Sequence, residues 1–161
     1  MPRSFAMMRW AVVDAAVDRL ISRTGLHALK ALAVLSELPA DKYAGAGMIA
    51  QEIQAPQNYL GKLLQSLSRE GLVQSQKGMG GGFRMAKDPR TTSLYDVLEP
   101  IEQISRWSGC FLGRERCSCS DPCSVHAKWK ATREHYLNFL KTTYLSDLAD
   151  LADLTDLADK H

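Results

Sequence analysis

All four cysteines of the chain, Cys110, Cys117, Cys119 and Cys123, lie within fourteen residues, and His126 follows the last of them by three positions. Chance scatter over 161 residues is a poor account of that spacing. Thiolates held so close share a metal, so the segment from Gly109 to Trp129 has to wrap on itself. Asp121 suits a helix N-cap, and Pro122 suits the first helical position, where its missing N–H costs nothing. The pair therefore predicts a helix start. Cys123 would lie in its first turn, where the helix dipole favours thiolate, with His126 on the same face. Gly109 and Gly113 give the preceding loop freedom to turn.

The rest of the chain limits what kind of protein carries this segment. A hydrophobic content of 45% supports one packed domain, with or without an appended dimerisation element. No apolar run reaches the roughly 18–20 residues of a membrane span. Asp14 and Asp18 interrupt the N-terminal stretch before any signal-peptide core forms. The expectation is a cytoplasmic protein with no membrane partner. In a reducing compartment its clustered cysteines serve metal or redox chemistry rather than disulfides.

Charge is distributed unevenly. Residues 1–90 carry twelve Lys/Arg against seven Asp/Glu, and residues 91–161 carry eight against eleven, so a +5 half is joined to a −3 half. Within the basic half, Lys62, Arg69, Lys77, Arg84, Lys87 and Arg90 face only Glu70 and Asp88 between positions 57 and 90, a local +4 suited to a phosphate backbone.

That basic stretch coincides with a recognisable pattern. Leucines at 26, 29, 32 and 35 predict a helix over 20–38, ended by Pro39. Met48 to Gln54 reads as a short helix, Ala55-Pro56 as a tight turn, and Gln57 to Glu70 as a second helix. The second helix would bury Leu60, Leu63, Leu64 and Leu67 and close at Gly71. Two short helices and a tight turn with a basic outer face make a helix-turn-helix. Strands at 72–76 and 83–86 around Lys77-Gly78-Met79-Gly80-Gly81-Gly82 add a hairpin wing. Its glycines let backbone N–H groups approach phosphates. The run lacks the third spaced glycine of a dinucleotide loop and opens no helix.

Residues 93–104 predict a further helix, capped by Thr92 or Ser93. Residues 122–148 predict one long helix with Trp129, Tyr136, Leu137, Leu140, Tyr144 and Leu148 as its apolar stripe, for which a twin subunit is the natural cover. The fold class is thus mainly α with a small β wing. It divides into an N-terminal extension at 1–19, helical or a misplaced start, a winged helix-turn-helix at 20–90, a cluster-binding loop with dimerisation helices at 91–148, and an acidic tail at 149–161. Aspartate and leucine recur every three residues in that tail, a period that drifts around an α-helix, so disorder is expected there.

In this order, winged helix, glycine-rich wing and cysteine loop resemble the iron–sulfur cluster regulator (IscR-like) family of winged-helix transcription factors. The resemblance runs from about residue 20 to 148. It is carried by SRTGLHALKAL at 22–32, YLGKLLQSLSREGLV at 59–73, KGMGGGF at 77–83 and the segment Cys123 to Trp129. It implies a dimeric regulator of transcription on double-stranded DNA, with a [2Fe–2S] cluster on Cys110, Cys117, Cys123 and His126. Two departures stand out. The first cysteine gap is six residues where the type pattern has five, and Cys119 is additional, an alternative ligand to Cys117. Relatives with other clusters take a carboxylate from the partner subunit's first helix, but the corresponding position here is Leu26, with His27 beside it.

Three cysteines and a histidine suit zinc as well as iron, so zinc and a [4Fe–4S] cluster stay open as alternatives, as does a thiol switch at Cys117-x-Cys119. Gln57, Asn58, Tyr59, Lys62, Gln65 and Arg69 project from the second helix where its leucines do not. Asn58, Lys62 and Gln65 have the groups to read base edges, and Tyr59 and Arg69 to hold phosphates. Lys77 and Arg84 supply the charge of the wing, and Gly80 and Gly81 its close backbone approach. No nucleophile with a neighbouring base, carboxylate pair or cofactor loop points to an enzyme.

Overall fold

The computed structural model describes residues 21–149. The expected extension at 1–19 and the repeat from 150 onward lie outside them. The architecture is helical with one two-stranded antiparallel sheet. Helix α1 (Arg23–Ser36) is its hub, packing against both of the helices that follow it ahead of the sheet. Ser22 caps it by accepting the Gly25 N–H, and Leu26, Leu29, Leu32 and Leu35 are buried with Ala28 and Ala31 between them. Alanine at those two positions lets neighbouring helices come close.

Helix α2 (Ala46–Ile53) ends at Gln54, whose left-handed backbone turns the chain through Ala55 and Pro56 into α3 (Gln57–Arg69). Leu60, Leu63, Leu64 and Leu67 all face the core, as their spacing predicts. At the end of α3 the Leu72 N–H bonds Leu67 O at 3.0 Å and the Gly71 N–H bonds Ser68 O at 3.0 Å, while Gly71 takes φ 72°. This Schellman closure satisfies two orphan carbonyls and sends the chain into the wing. Strands β1 (Val73–Gln76) and β2 (Gly82–Met85) pair with Val73 opposite Met85 and Gln76 opposite Gly82. Ala44 and Phe83 exchange two backbone bonds at 2.8 Å, so the loop before α2 anchors the wing as a third strand would.

Helix α4 (Leu94–Glu102) opens with a reciprocal capping box between Ser93 and Asp96. It stops two residues short of the expected end, where Gln103 turns left-handed at φ 52° and its N–H bonds Glu99 O. A 3-10 turn (Ile104–Ser108) follows and buries Ile104.

The long C-terminal helix differs at both ends from the expectation. It begins at His126, four residues after Pro122, as α5 (His126–Thr142). Asp121 does not cap it: its carboxylate pairs with Arg114 at 3.2 Å, and its N–H and C=O are taken by Ser118. Cys123 therefore lies in the loop, outside the first helical turn. At the other end Thr143 is extended, and α6 (Leu145–Ala149) is separate. The break lets the Leu94 N–H reach Thr143 O at 2.8 Å and the Leu145 N–H reach Thr92 O at 3.0 Å, which seats Leu145 in the core. Among the described residues no helix is long and apolar enough to cross a membrane.

Candidate metal centre and nucleic-acid interface

The cysteine loop closes between the 3-10 turn and the start of α5. Gly113, at φ 73°, returns the chain so that its N–H bonds Cys110 O at 3.0 Å. The sulfurs of Cys110, Cys117 and Cys123 lie within 4.8 Å of one another. They fall into pairs with the histidine: Cys110 Sγ is 3.6 Å from Cys123 Sγ, and Cys117 Sγ is 3.1 Å from His126 Nδ1. Cys119 is the exposed member, 3.6 Å from His126 Nε2 and 3.8 Å from Lys130 Nζ. The imidazole thus stands between Cys117 and Cys119, one ring nitrogen toward each.

Backbone dipoles already prepare this loop for negative charge. The N–H groups of Arg114 and Leu112 and the thiols of Cys123 and Cys117 bring the Cys110 thiol down to about 7, against partial burial. At Cys117 the Cys123 N–H acts in the same sense, but burial and the thiols of Cys123 and Cys110 outweigh it and push the thiol up. Adjacent sulfurs cannot all carry negative charge without mutual repulsion unless a cation lies among them. Three soft sulfurs and an imidazole are the donors that zinc and iron–sulfur clusters take, so the chemistry of the set fits either.

Side chains of α5 hold the loop against the helix. Trp129 Nε1 donates to Gly109 O at 3.1 Å, and the Arg133 guanidinium donates to Ser108 O at 2.9 Å and to Trp107 O at 3.3 Å. Trp107 stacks on Tyr136 with centroids 5.6 Å apart, and Phe111 lies 5.3 Å from Trp129. The periodicity assigns Trp129 and Tyr136 to a face awaiting a twin subunit, whereas here they hold the chain's own loop. Positions 129, 133 and 136 share a helix face, the signal that could have shown it. Only Leu140 of α5 is fully buried, and Phe139 is exposed.

On α3, Gln57, Asn58, Lys62, Gln65 and Arg69 are exposed and line one open groove of about 530 Å³ with Ala46 and Gly61. Gly61 has no tight neighbour, and its missing side chain opens the groove floor. Lys77 and Gly80 are exposed on the wing, and Gly81 is half-buried beneath them. Tyr59 and Arg84, both half-buried, also bond within the protein. Tyr59 donates its hydroxyl to Thr24 Oγ1 at 3.0 Å and meets His27 edge-on at 5.5 Å. Arg84 donates to Gln74 Oε1 at 2.9 Å and Ala40 O at 3.0 Å, with its guanidinium 4.8 Å over the Tyr43 ring. Helical spacing and strand alternation show that these side chains leave the core but not what they touch.

The two regions are joined by polar contacts through α4 and α1. Ser105 donates its N–H and hydroxyl to Glu99, at 2.9 and 2.5 Å. Ser22 donates its N–H and hydroxyl to Glu102 Oε1, at 3.0 and 2.5 Å, at the start of the helix that carries Thr24.

Comparison with known proteins gives a consistent result. Residues 21–151 match the family model Rrf2, described as iron-dependent transcriptional regulator. An HTH-type transcriptional regulator of Aquifex aeolicus is 34% identical over 131 residues, which is 80% of this chain and 90% of that protein. IscR of Xenorhabdus nematophila is 30% identical over 103 residues, 64% of this chain and 62% of the relative, so that match spans less than two thirds of IscR. Among solved structures, CymR, the global cysteine regulator of B. subtilis, superposes with a TM-score of 0.67 at 25% identity, covering 81% of this chain and 96% of that one. T. potens IscR gives a TM-score of 0.64 at 22% identity, covering 82% and 87%, a likeness of fold.

Proposed function

The chain belongs to the Rrf2 family of transcriptional regulators, and from that premise we propose that it is a cytoplasmic, dimeric DNA-binding regulator responsive to iron–sulfur or redox status. Its cofactor in this reading is a [2Fe–2S] cluster held by Cys110, Cys117, Cys123 and His126. The observation that carries the reading is the two-plus-two pairing of the donors, Cys110 with Cys123 at 3.6 Å and Cys117 with His126 at 3.1 Å. A cluster of two irons, each needing two protein ligands, asks for that division. When bound, such a cluster supplies a reversible one-electron centre.

The chain's own residues do the rest. Trp129 and Arg133 fix the loop on α5 while its four donors are engaged, and release of the donors frees the loop and shifts α5 against its twin. The contacts of Glu99 and Glu102 lead from the loop's origin to α1, and Tyr59 leads from α1 to α3. On α3, Asn58, Lys62 and Gln65 read base edges and Gln57 and Arg69 hold the backbone, with Lys77, Gly80 and Gly81 approaching from the wing. Cys119 backs His126 from its far side.

A structural zinc is the second reading, favoured by three sulfurs within 4.8 Å, close enough for a single tetrahedral ion. Oxygen-free purification with absorption spectra and metal and sulfide analysis decides between them. Coloured protein with iron and acid-labile sulfide in equal amounts is expected. Colourless protein containing zinc would refute the cluster.

A further inference from the structure

The wing ends in one side chain that the rest of the fold leaves uncovered. Met79 is fully exposed, at 102% of its reference area. Below it the hairpin is fixed, since Phe83 is buried and its backbone is double-bonded to Ala44. The tip is constrained as well. Gly78 and Gly80 take φ 93° and 72°, and the Gly81 N–H bonds Gly78 O at 3.1 Å. A β-carbon on Gly81 would strike the Gln76 carbonyl, and one on Gly82 the Ala44 carbonyl. The turn therefore excludes other side chains from its apex while presenting one long apolar one. Single exposed apolar residues are common on protein surfaces. This one differs in its mounting, beside exposed Lys77 on an anchored hairpin whose first strand packs against α3.

We infer that Met79 is an apolar wedge that enters the minor groove of duplex DNA and partly unstacks one base step. The inference rests on the DNA-binding reading and adds to it a residue and a deformation of the duplex. Minor-groove proteins insert methionine, leucine or phenylalanine in this way and kink the helix. Methionine is unbranched and polarizable, so it slides between bases with little steric demand. Glycines on both sides leave room for the sugar–phosphate walls of the groove. Pyrimidine–purine steps unstack most easily, so the wedge contributes sequence preference at a position where no hydrogen bond reads a base.

The test uses the full-length protein, purified without oxygen, and the duplex it selects from a random library. Each base step flanking the α3 site is replaced in turn by a 2-aminopurine reporter of unstacking. The parent protein should raise the fluorescence at one step. Met79→Ala should abolish that rise and weaken binding about ten-fold, with the salt slope unchanged because no charge is lost. Met79→Leu should restore both. A parent that selects no duplex overturns the DNA-binding reading and the wedge with it. A parent that binds while Met79→Ala matches it in affinity and fluorescence overturns the wedge alone.

Discussion

Replacing Gly25 with alanine sets two effects against each other, and the structure says which wins. Alanine is favoured over glycine in a helix by up to about 1 kcal/mol. At this position, however, a β-carbon would collide with the Glu102 carboxylate and come within 3.0 Å of Leu98 Cδ2. Glu102 can swing away only by giving up the bonds from the Ser22 N–H and hydroxyl, at 3.0 and 2.5 Å. Hydrogen bonds to a charged group contribute about 1.5–3 kcal/mol each. Both face solvent, so about 2 kcal/mol for the pair is the working figure. Gly25→Ala should then destabilise by about 1 kcal/mol, a drop in Tm of about 2–4 °C. In a Glu102→Ala background the collision and the bonds are both absent, and Leu98 has only to yield a few tenths of an ångström. There the same substitution should stabilise by about 0.5–1 kcal/mol. Urea and thermal unfolding of the four proteins measures the coupling, expected near 2 kcal/mol. An effect of the same sign and size in both backgrounds would refute the reasoning and remove Glu102 from the join between α4 and α1.

The other expectations concern the two sites and the join. Cys117→Ser should lose most bound iron on oxygen-free purification, while Cys119→Ser retains it with a shifted absorption spectrum; the reverse outcome would make Cys119 the ligand. Lys62→Ala should lower the slope of log affinity against log salt by about 0.9, the signature of one lost phosphate contact. Arg84→Ala should weaken binding with a smaller change of slope than Lys62→Ala, because its Nε and Nη1 are held by Gln74 and Ala40 over the Tyr43 ring; a slope change equal to that of Lys62→Ala would show a full phosphate contact instead. The Glu99 carboxyl is held below the usual range, first by the Ser105 hydroxyl and then by the Ser105 N–H, against partial desolvation. A depressed carboxyl stabilises the fold above its unfolded value of about 4.3 and loses that contribution as pH falls through the folded value. The stability difference between the parent and Glu99→Gln should therefore be full near neutrality and shrink in acid, as urea unfolding across that range would show; a constant difference would rule it out.

What the sequence made legible is what local rules decide. The leucines of α3 and Gly71 after them fix both the buried face and the end of that helix, because a 3.6-residue period and a left-handed cap act within a few residues. The gathering of Cys110, Cys117 and Cys123 was legible for a similar reason, since sulfurs within fourteen residues have few places to go. The helix ends around the loop were not. Asp121-Pro122 carries a valid start signal, yet Arg114 captures the carboxylate, and the helix waits for His126. Thr143 breaks the long helix because Leu94, 49 residues earlier, needs its carbonyl, and no local pattern encodes that. The same limit explains Trp129 and Tyr136. An apolar stripe states that a face is covered but not by what, and a loop on the same chain meets that demand as well as a second subunit would. With Trp129, Arg133 and Tyr136 turned to the chain's own residues 107–109, Phe139 is the large apolar side chain of α5 left exposed.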